Sequence, residues 1–68
     1  MLLKEVGLRI QELRKERLKL TQSEFAKRLG YDRTFLSRVE RGVQNITLET
    51  LDKICDGLGI TIKEFFNY

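Results

Sequence analysis

The sequence predicts an all-α domain built from five short helices. Apolar residues recur at three- and four-residue steps along most of the chain, which is the spacing of one helix face. No segment alternates apolar and polar residues for long enough to form a strand. Proline is absent, and the breaks between segments fall at glycines and at residues that cap helices. A chain of 68 residues leaves room for one domain with one small core.

Helices 1 and 2 are predicted on either side of a short connection. Helix 1 spans residues 3–17, and the apolar residues that share its inner face are Leu3, Val6, Ile10 and Leu13. Thr21 and Glu24 then form a capping box, in which the hydroxyl and the carboxylate each accept a bond from the other residue's backbone amide. Helix 2 ends at Gly30, which suits the left-handed residue after a helix. Its inward-facing residues are Phe25, Ala26 and Leu29.

Helix 3 is predicted within the segment YDRTFLSRVERG, residues 31–42. Asp32 is a good N-cap, and Gly42 is suited to the left-handed residue that ends a helix. A helix this short is not stable alone in water. Leu36 and Val39, on one side, must therefore dock it onto the rest of the domain. The opposite face carries three arginines and two hydroxyls, namely Arg33, Thr34, Ser37, Arg38 and Arg41.

Helices 4 and 5 each follow a threonine that caps the helix. Thr47 precedes helix 4, which is expected to end at Gly57 and Gly59. Thr61 and Glu64 form a second capping box, which starts a short terminal helix. The apolar positions of helix 4 run at three- and four-residue steps and are Leu48, Leu51, Ile54, Cys55 and Leu58.

The composition argues against an enzyme and against a metal site. There is no histidine and only one cysteine, so neither an intramolecular disulfide nor a zinc site of the usual ligands can form. The chain has no nucleophile paired with a base and no glycine-rich phosphate loop. Its first residues are too short and too charged for a signal peptide or a membrane span. We therefore expect a cytoplasmic protein without cofactor or small-molecule ligand, with Cys55 reduced and packed as a small hydrophobe.

Positive charge is concentrated in the first two thirds of the chain. Residues 1–44 hold eleven Lys and Arg against six Asp and Glu, whereas residues 45–68 hold two against four. This asymmetry indicates a basic part that faces a polyanion and a near-neutral part with another task. Glu40, on helix 3, would repel a polyanion unless its charge were neutralised. We therefore expect Glu40 to form a structural ion pair with an arginine of helix 1, namely Arg14.

Helices 2 and 3 together form a helix-turn-helix pattern over residues 22–41. Ala26 is small where the two helices would cross, and Gly30 lets the chain reverse. The stretches LTQSEFAKRLG, LSRVERG and ITLETLDKICDGLGI resemble the Cro/repressor-type helix-turn-helix family of phage repressors and bacterial regulators. Within that family, DRTFLSRVERGVQNITLETLDKI and the later EFF are most similar to the controller proteins of restriction-modification systems. The first turn, RKERLKLTQ, departs from the family because it is one residue longer and lacks the common glycine.

The resemblance covers nearly the whole chain and implies a compact, lambda-repressor-like DNA-binding domain over residues 1–68. In such a domain helix 3 lies in the major groove of DNA, where its polar face meets base edges. Arg33 is long enough to place a bidentate fork on guanine, and Thr34 offers a hydroxyl and a methyl group. The family's base-reading positions correspond to four residues of this chain, namely Arg33, Thr34, Ser37 and Arg38.

A second set of residues is expected to contact DNA phosphates and so to fix the position of the domain. Gln22, where the family has a phosphate contact, and Ser23 begin helix 2, where free amides and the helix dipole attract an anion. Phe35 lies at the edge of the core and is expected to be partly exposed against DNA. The others, at the end of helix 3 and in the loop behind it, are Arg41, Gln44 and Asn45. Gln44 and Asn45 could equally be turn residues that bond their own backbone.

We expect the protein to act as a homodimer. One such domain buries only about 600–1,000 Å² against DNA. Two copies related by a twofold axis can read a pseudo-palindrome whose half-sites lie about 34–36 Å apart. The candidate dimerisation region is residues 58–68, whose large apolar and aromatic residues are Ile60, Ile62, Phe65, Phe66 and Tyr68. One of the two phenylalanines is expected to close the monomer core, and the other to join Ile62 or Tyr68 in the interface.

The expected function is that of a sequence-specific transcription regulator bound to operator DNA. The controller resemblance implies regulation of its own operon and of the endonuclease gene, and activation would need a contact with RNA polymerase. Two alternatives remain open: a phage-type repressor, and an antitoxin or adaptor that acts through protein contacts. The arginine-rich face of helix 3 distinguishes a DNA-binding regulator from a protein adaptor. A pure adaptor does not need such a face, and its binding would not fall steeply with salt.

Overall fold

Five α-helices and one π-helical segment form the fold in the computed structural model, which describes residues 2–67. The helices, which correspond to predicted helices 1 to 5, are α1 (Leu2–Leu13), α2 (Gln22–Leu29), α3 (Arg33–Arg41), α4 (Leu48–Leu58) and α5 (Ile62–Phe65). The π-helical segment, Arg14–Leu18, continues directly from α1. No strand occurs within residues 2–67. The predicted all-α, five-helix fold is thus confirmed.

A single apolar cluster holds the helices together. Its buried residues are Val6, Ile10, Leu13, Phe25, Ala26, Leu29, Leu36, Val39, Leu51, Ile54, Cys55, Leu58 and Phe65. Most of the predicted inward faces therefore point inward, but Leu48 does not. Its side chain is 72% exposed, because it is the first residue of α4 and lies beyond the end of the packed face. No helix among residues 2–67 is long and apolar enough to cross a membrane.

The predicted capping boxes are both present. The backbone amide of Glu24 donates to Thr21 Oγ1 at 3.1 Å, and the amide of Thr21 donates to Glu24 Oε1 at 2.8 Å. Thr61 and Glu64 form the same pair of bonds at the start of α5. The bond from the Thr21 backbone amide lowers the pKa of Glu24, because it stabilises the charged carboxylate. Asp32 occupies the N-cap of α3 as predicted, but its side chain makes no capping bond.

The connection between α1 and α2 begins with a π-helical segment. Each backbone hydrogen bond of this segment spans one residue more than in an α-helix. Lys19 then adopts the left-handed conformation, with φ at 54°, which is uncommon for a residue other than glycine. The π-helical turn leaves Arg14, its first residue, buried.

Two glycines allow α1 to lie very close to α3. A Cβ atom added at Gly7 would lie 2.4 Å from the carbonyl oxygen of Val39 and 2.5 Å from that of Glu40. A Cβ atom at Gly42, just after α3, would lie 2.5 Å from Lys4 Cα. Since real Cβ atoms essentially never approach so closely, only glycine fits at these two positions. The backbone of α1 therefore packs closely against the C-terminal end of α3.

Gly57 has a different role from the one predicted. It was expected to end helix 4, but α4 continues through it to Leu58 and ends at Gly59, whose φ is 79°. A Cβ atom at Gly57 would lie 2.6 Å from Leu29 Cδ2 and 3.1 Å from an atom of the Phe25 ring. The missing side chain lets α4 pack closely against α2. Gly57 is thus a packing residue and not a helix terminator.

Candidate nucleic-acid interface

The outer face of α3 carries the predicted base-reading residues. Leu36 and Val39, on the inner face, are 0% and 2% exposed and dock the helix as expected. Arg33, Thr34 and Arg38 are exposed, and Ser37 is partly buried. The helix ends at Gly42, which is left-handed with φ at 76° and whose backbone amide bonds to carbonyls of the last turn. The structure therefore brings the four predicted residues together on one surface; their contacts with bases stay a prediction.

The arginines of this face carry charges that nothing in the described chain neutralises. Arg33, Arg38 and Arg41 form no ion pair or side-chain hydrogen bond within residues 2–67. The first turn of α3 contains no acidic residue, and Glu40, the acid within the helix, is buried. The outer face of α3 is therefore a concentrated positive surface, which attracts a polyanion.

Glu40 is buried because it pairs with Arg14, as the sequence predicts. Arg14 Nε donates to Glu40 Oε2 at 2.8 Å, and Arg14 Nη2 donates to Glu40 Oε1 at 2.9 Å. This bidentate geometry is the strongest form of the arginine–carboxylate interaction. Arg14 Nη1 also donates to the carbonyl of Leu20 at 2.8 Å, which ties the first turn to the pair. Within residues 2–67, every buried side-chain polar atom has a hydrogen-bond partner.

Gln22 also bonds to Glu40, a contact that the sequence did not predict. Its Nε2 donates to Glu40 Oε1 at 2.9 Å. Gln22 and Ser23 are the first two residues of α2, and their backbone amides have no acceptor within the helix. The start of α2 therefore offers free donors and the positive end of the helix dipole, as the predicted phosphate contact requires.

The remaining candidates for phosphate contacts lie in different surroundings. Arg41 and Asn45 are exposed, whereas Gln44 is partly buried. Gln44 Nε2 donates to the carbonyl of Asn45 at 3.2 Å, which fits the alternative that Gln44 is a turn residue. Phe35 is partly buried and packs on Tyr31, with ring centroids 5.0 Å apart. Because a phenyl ring has no donor, any contact of Phe35 with DNA is apolar.

The structure decides which phenylalanine closes the core. Phe65 is 0% exposed and is the one that closes the core, so it does not fit the predicted interface: it has no surface left for a second subunit. Phe66 is 44% exposed and meets Phe65 edge-on, with ring centroids 5.1 Å apart. Ile60 and Ile62 are partly buried against the core. Tyr68, the last of the predicted interface residues, lies outside the described residues.

Cys55 and the acidic residues offer no separate chemical site. Cys55 is 0% exposed, as expected for a small hydrophobe, and burial raises the pKa of its thiol to about 11. Nearby Asp52 and Asp56 raise this pKa further. Among the described residues, no group of three or more Cys, Asp or Glu side chains could hold a metal ion.

Comparison with known proteins places the chain in a family. A family model described as helix-turn-helix matches residues 10–65. The chain belongs to the helix-turn-helix family. Control protein C.MunI of Mycoplasma sp. is 44% identical over 61 residues, which cover 90% of this chain and 82% of that protein. The similarity to restriction-modification controllers that the sequence indicates is thereby confirmed.

Solved structures of controller proteins share the fold. The restriction-modification controller C.Esp1396I, crystallised as a tetramer with its natural 35-base-pair operator, is 35% identical with a TM-score of 0.86. The match covers 97% of this chain and 86% of that one. The controller C.AhdI from Aeromonas hydrophila is 36% identical, also with a TM-score of 0.86, over 94% of this chain and 96% of that one.

Proposed function

We propose that this protein is a sequence-specific DNA-binding regulator of transcription that binds a pseudo-palindromic operator as a homodimer. The observation that carries the proposal is the exposed, unpaired arginine surface of α3, supported from behind by α1. The similarity to C.Esp1396I, which was crystallised with operator DNA, supports the same reading. As a restriction-modification controller, it would regulate its own operon and the endonuclease gene in the cytoplasm, without enzymatic activity.

The proposed mechanism assigns different tasks to the two ends of the helix-turn-helix. α3 lies in the major groove, where Arg33 and Arg38 donate to base edges. Thr34 and Ser37, whose side chains are short, contact the bases that lie nearest to the helix. The start of α2 binds a phosphate through Gln22 and free backbone amides. Phosphate contacts fix the orientation of α3, and contacts to bases supply the preference for one sequence.

The proposed dimer interface is the surface near α5. Phe66 is exposed there, and Ile60 and Ile62 keep part of their surface accessible. Since Phe65 closes the monomer core, Phe66 is the phenylalanine left for the partner subunit. Phe66→Ala is expected to shift sedimentation toward the monomer, whereas Leu48→Ala, which removes an apolar side chain elsewhere on the surface, is expected to leave it unchanged. A dimer that survives changes at 60, 62 and 66 would contradict this placement.

DNA binding is tested by fluorescence anisotropy with an operator selected from random duplexes and with one unrelated duplex. Each of Arg33→Ala and Arg38→Ala should weaken operator binding about 10-fold to 100-fold, since a bidentate base contact discriminates by about 1–3 kcal/mol. Arg28→Ala, which removes one exposed positive charge from α2, serves as the matched control and should weaken both duplexes equally.

The salt dependence of binding separates the regulator from a protein adaptor. For the regulator, affinity falls steeply between two salt concentrations because Arg and Lys release counterions from DNA. If the protein binds selected and unrelated duplexes equally, or if the double variant R33A/R38A keeps its operator preference, the proposed function fails. A flat salt dependence would favour the antitoxin or adaptor class instead.

A further inference from the structure

The buried ion pair between Arg14 and Glu40 also holds a side chain at the proposed DNA surface. Glu40 Oε1 accepts from Arg14 Nη2 and from Gln22 Nε2, both at 2.9 Å. The side chain of Glu40 is 2% exposed, whereas Gln22 is partly buried at the start of α2. One carboxylate oxygen thus connects the interior of the domain to a residue at its surface.

The bond to Glu40 fixes which way the amide of Gln22 faces. A carboxylate only accepts hydrogen bonds, so the NH2 group of Gln22, and not its oxygen, must face Glu40. One N–H of that group is used in this bond. The other N–H has no acceptor within residues 2–67, and it lies at the same end of α2 as the free backbone amides of Gln22 and Ser23.

We propose that Glu40 is a positioning residue for DNA binding, which holds the amide of Gln22 so that its second N–H can donate to a phosphate oxygen. This inference rests on the proposed function, in which Gln22 contacts a phosphate. A free glutamine side chain loses rotamer freedom when it binds, whereas one that is already held loses little. Glu40 therefore strengthens DNA binding without touching DNA.

Arg14 allows the negatively charged Glu40 to hold Gln22 next to a DNA phosphate. Its guanidinium donates to both carboxylate oxygens of Glu40, so the negative charge is balanced at a distance of less than 3 Å. An unbalanced carboxylate next to the phosphate would repel it. The pair thus supplies an acceptor for Gln22 at little electrostatic penalty to the complex.

The test compares one substitution in two backgrounds. Gln22→Met keeps the length of the side chain but removes its donors, and in the parent protein it should weaken operator binding about tenfold, as expected for a hydrogen bond to a charged group. In the second background, R14M/E40M, apolar side chains replace the ion pair, a kind of change that often leaves stability intact. There Gln22→Met should weaken binding less than about threefold, because Gln22 is no longer held in place.

The losses of affinity caused by Gln22→Met in the two backgrounds decide whether Glu40 positions Gln22. Equal losses in the two backgrounds would overturn the positioning role, because Gln22 would then bind phosphate without help from Glu40. No loss in the parent would overturn it as well, since Gln22 would contact no phosphate. If the parent does not prefer its operator over random duplex, the proposed function itself has failed, which the same titrations show directly.

A measurement on the parent protein does not depend on the folding of a variant. Nitrogen-15 relaxation of the side-chain amides should find the Gln22 NH2 group as ordered as the helix backbone. Gln11 is the matched control, because it is also partly buried but its side chain has no hydrogen bond within residues 2–67. A Gln22 amide as mobile as that of Gln11 would overturn the proposal.

Discussion

Replacing Gly7 by alanine tests whether the close approach of α1 to α3 sets the position of α3. In an isolated helix this change is stabilising by about 1 kcal/mol, because glycine is a poor helix former. In this fold the new Cβ atom would lie 2.4 Å from the carbonyl oxygen of Val39. The tertiary contact therefore opposes the local preference, and the sign of the measured change shows which effect dominates.

The size of the stability change for Gly7→Ala follows from how far α1 and α3 must separate. To reach an ordinary contact of 3.4 Å or more, the Cβ atom at Gly7 must retreat from the backbone of α3 by about 1 Å. Overpacking of this kind costs about 1–3 kcal/mol, and a backbone carbonyl cannot rotate away as a side chain can. Subtracting the helix-propensity gain from the upper value leaves a net loss of about 2 kcal/mol. For a domain of this size the melting temperature should fall by about 8–16 °C.

Thermal and urea unfolding, followed by circular dichroism, give the stability change for Gly7→Ala. Gly57→Ala is the matched control, because its Cβ atom would meet side-chain atoms of Leu29 and Phe25 and not a backbone atom. We expect the control to lose less stability, and Gly7→Ala to weaken operator binding even where it is fully folded, since α3 is displaced. If Gly7→Ala is as stable as the parent, the reasoning about this crossing is refuted.

Three further predictions concern the ion pair, the caps and the cysteine. Glu40→Gln should lower the unfolding free energy by about 3 kcal/mol because Arg14 loses its buried partner; unchanged urea unfolding would contradict this. Thr21→Ala should lower the free energy of unfolding by about 1 kcal/mol, because α2 loses the side chain that caps it. The lowered pKa of Glu24 stabilises the fold above the ordinary glutamate value of 4.5, and this stability is lost as the pH falls through the folded pKa. Thermal melts from pH 7 to 3 should therefore show a weaker pH dependence in Glu24→Gln, which cannot titrate, than in the parent. Cys55, whose pKa is about 11, should react with iodoacetamide only as fast as the protein unfolds, and rapid labelling of the native protein would contradict its burial.

The features that the sequence predicts correctly are local ones. Helix number, both capping boxes and the docking of α3 through Leu36 and Val39 depend on residues within one or two helical turns of each other. The pairing of Arg14 with Glu40 was also predicted from a local feature, because Glu40 is an acidic residue on an otherwise basic helix and needs a positive partner. The polar surface of α3 is determined in the same way, because helical periodicity places its residues on one side.

The sequence alone did not reveal the contacts made between helices. Gly7 lies on the apolar face of helix 1, four residues after Leu3 and three before Ile10, and this placement was the available sign of a close crossing. Gln22 gave no such sign, because an uncharged amide, unlike the carboxylate of Glu40 on a basic face, does not require a partner elsewhere in the chain.

By itself, then, the sequence determined which segments are helical, where helices 2 to 5 begin, and which face of α3 is charged. The tertiary structure alone decided that Phe65 and not Phe66 fills the core, that Leu48 is exposed, and that Gly57 packs against α2. The physical reason is that helix periodicity and capping are set by neighbours along the chain. Burial and close backbone contact depend on distances between helices, which exist only once the chain has folded.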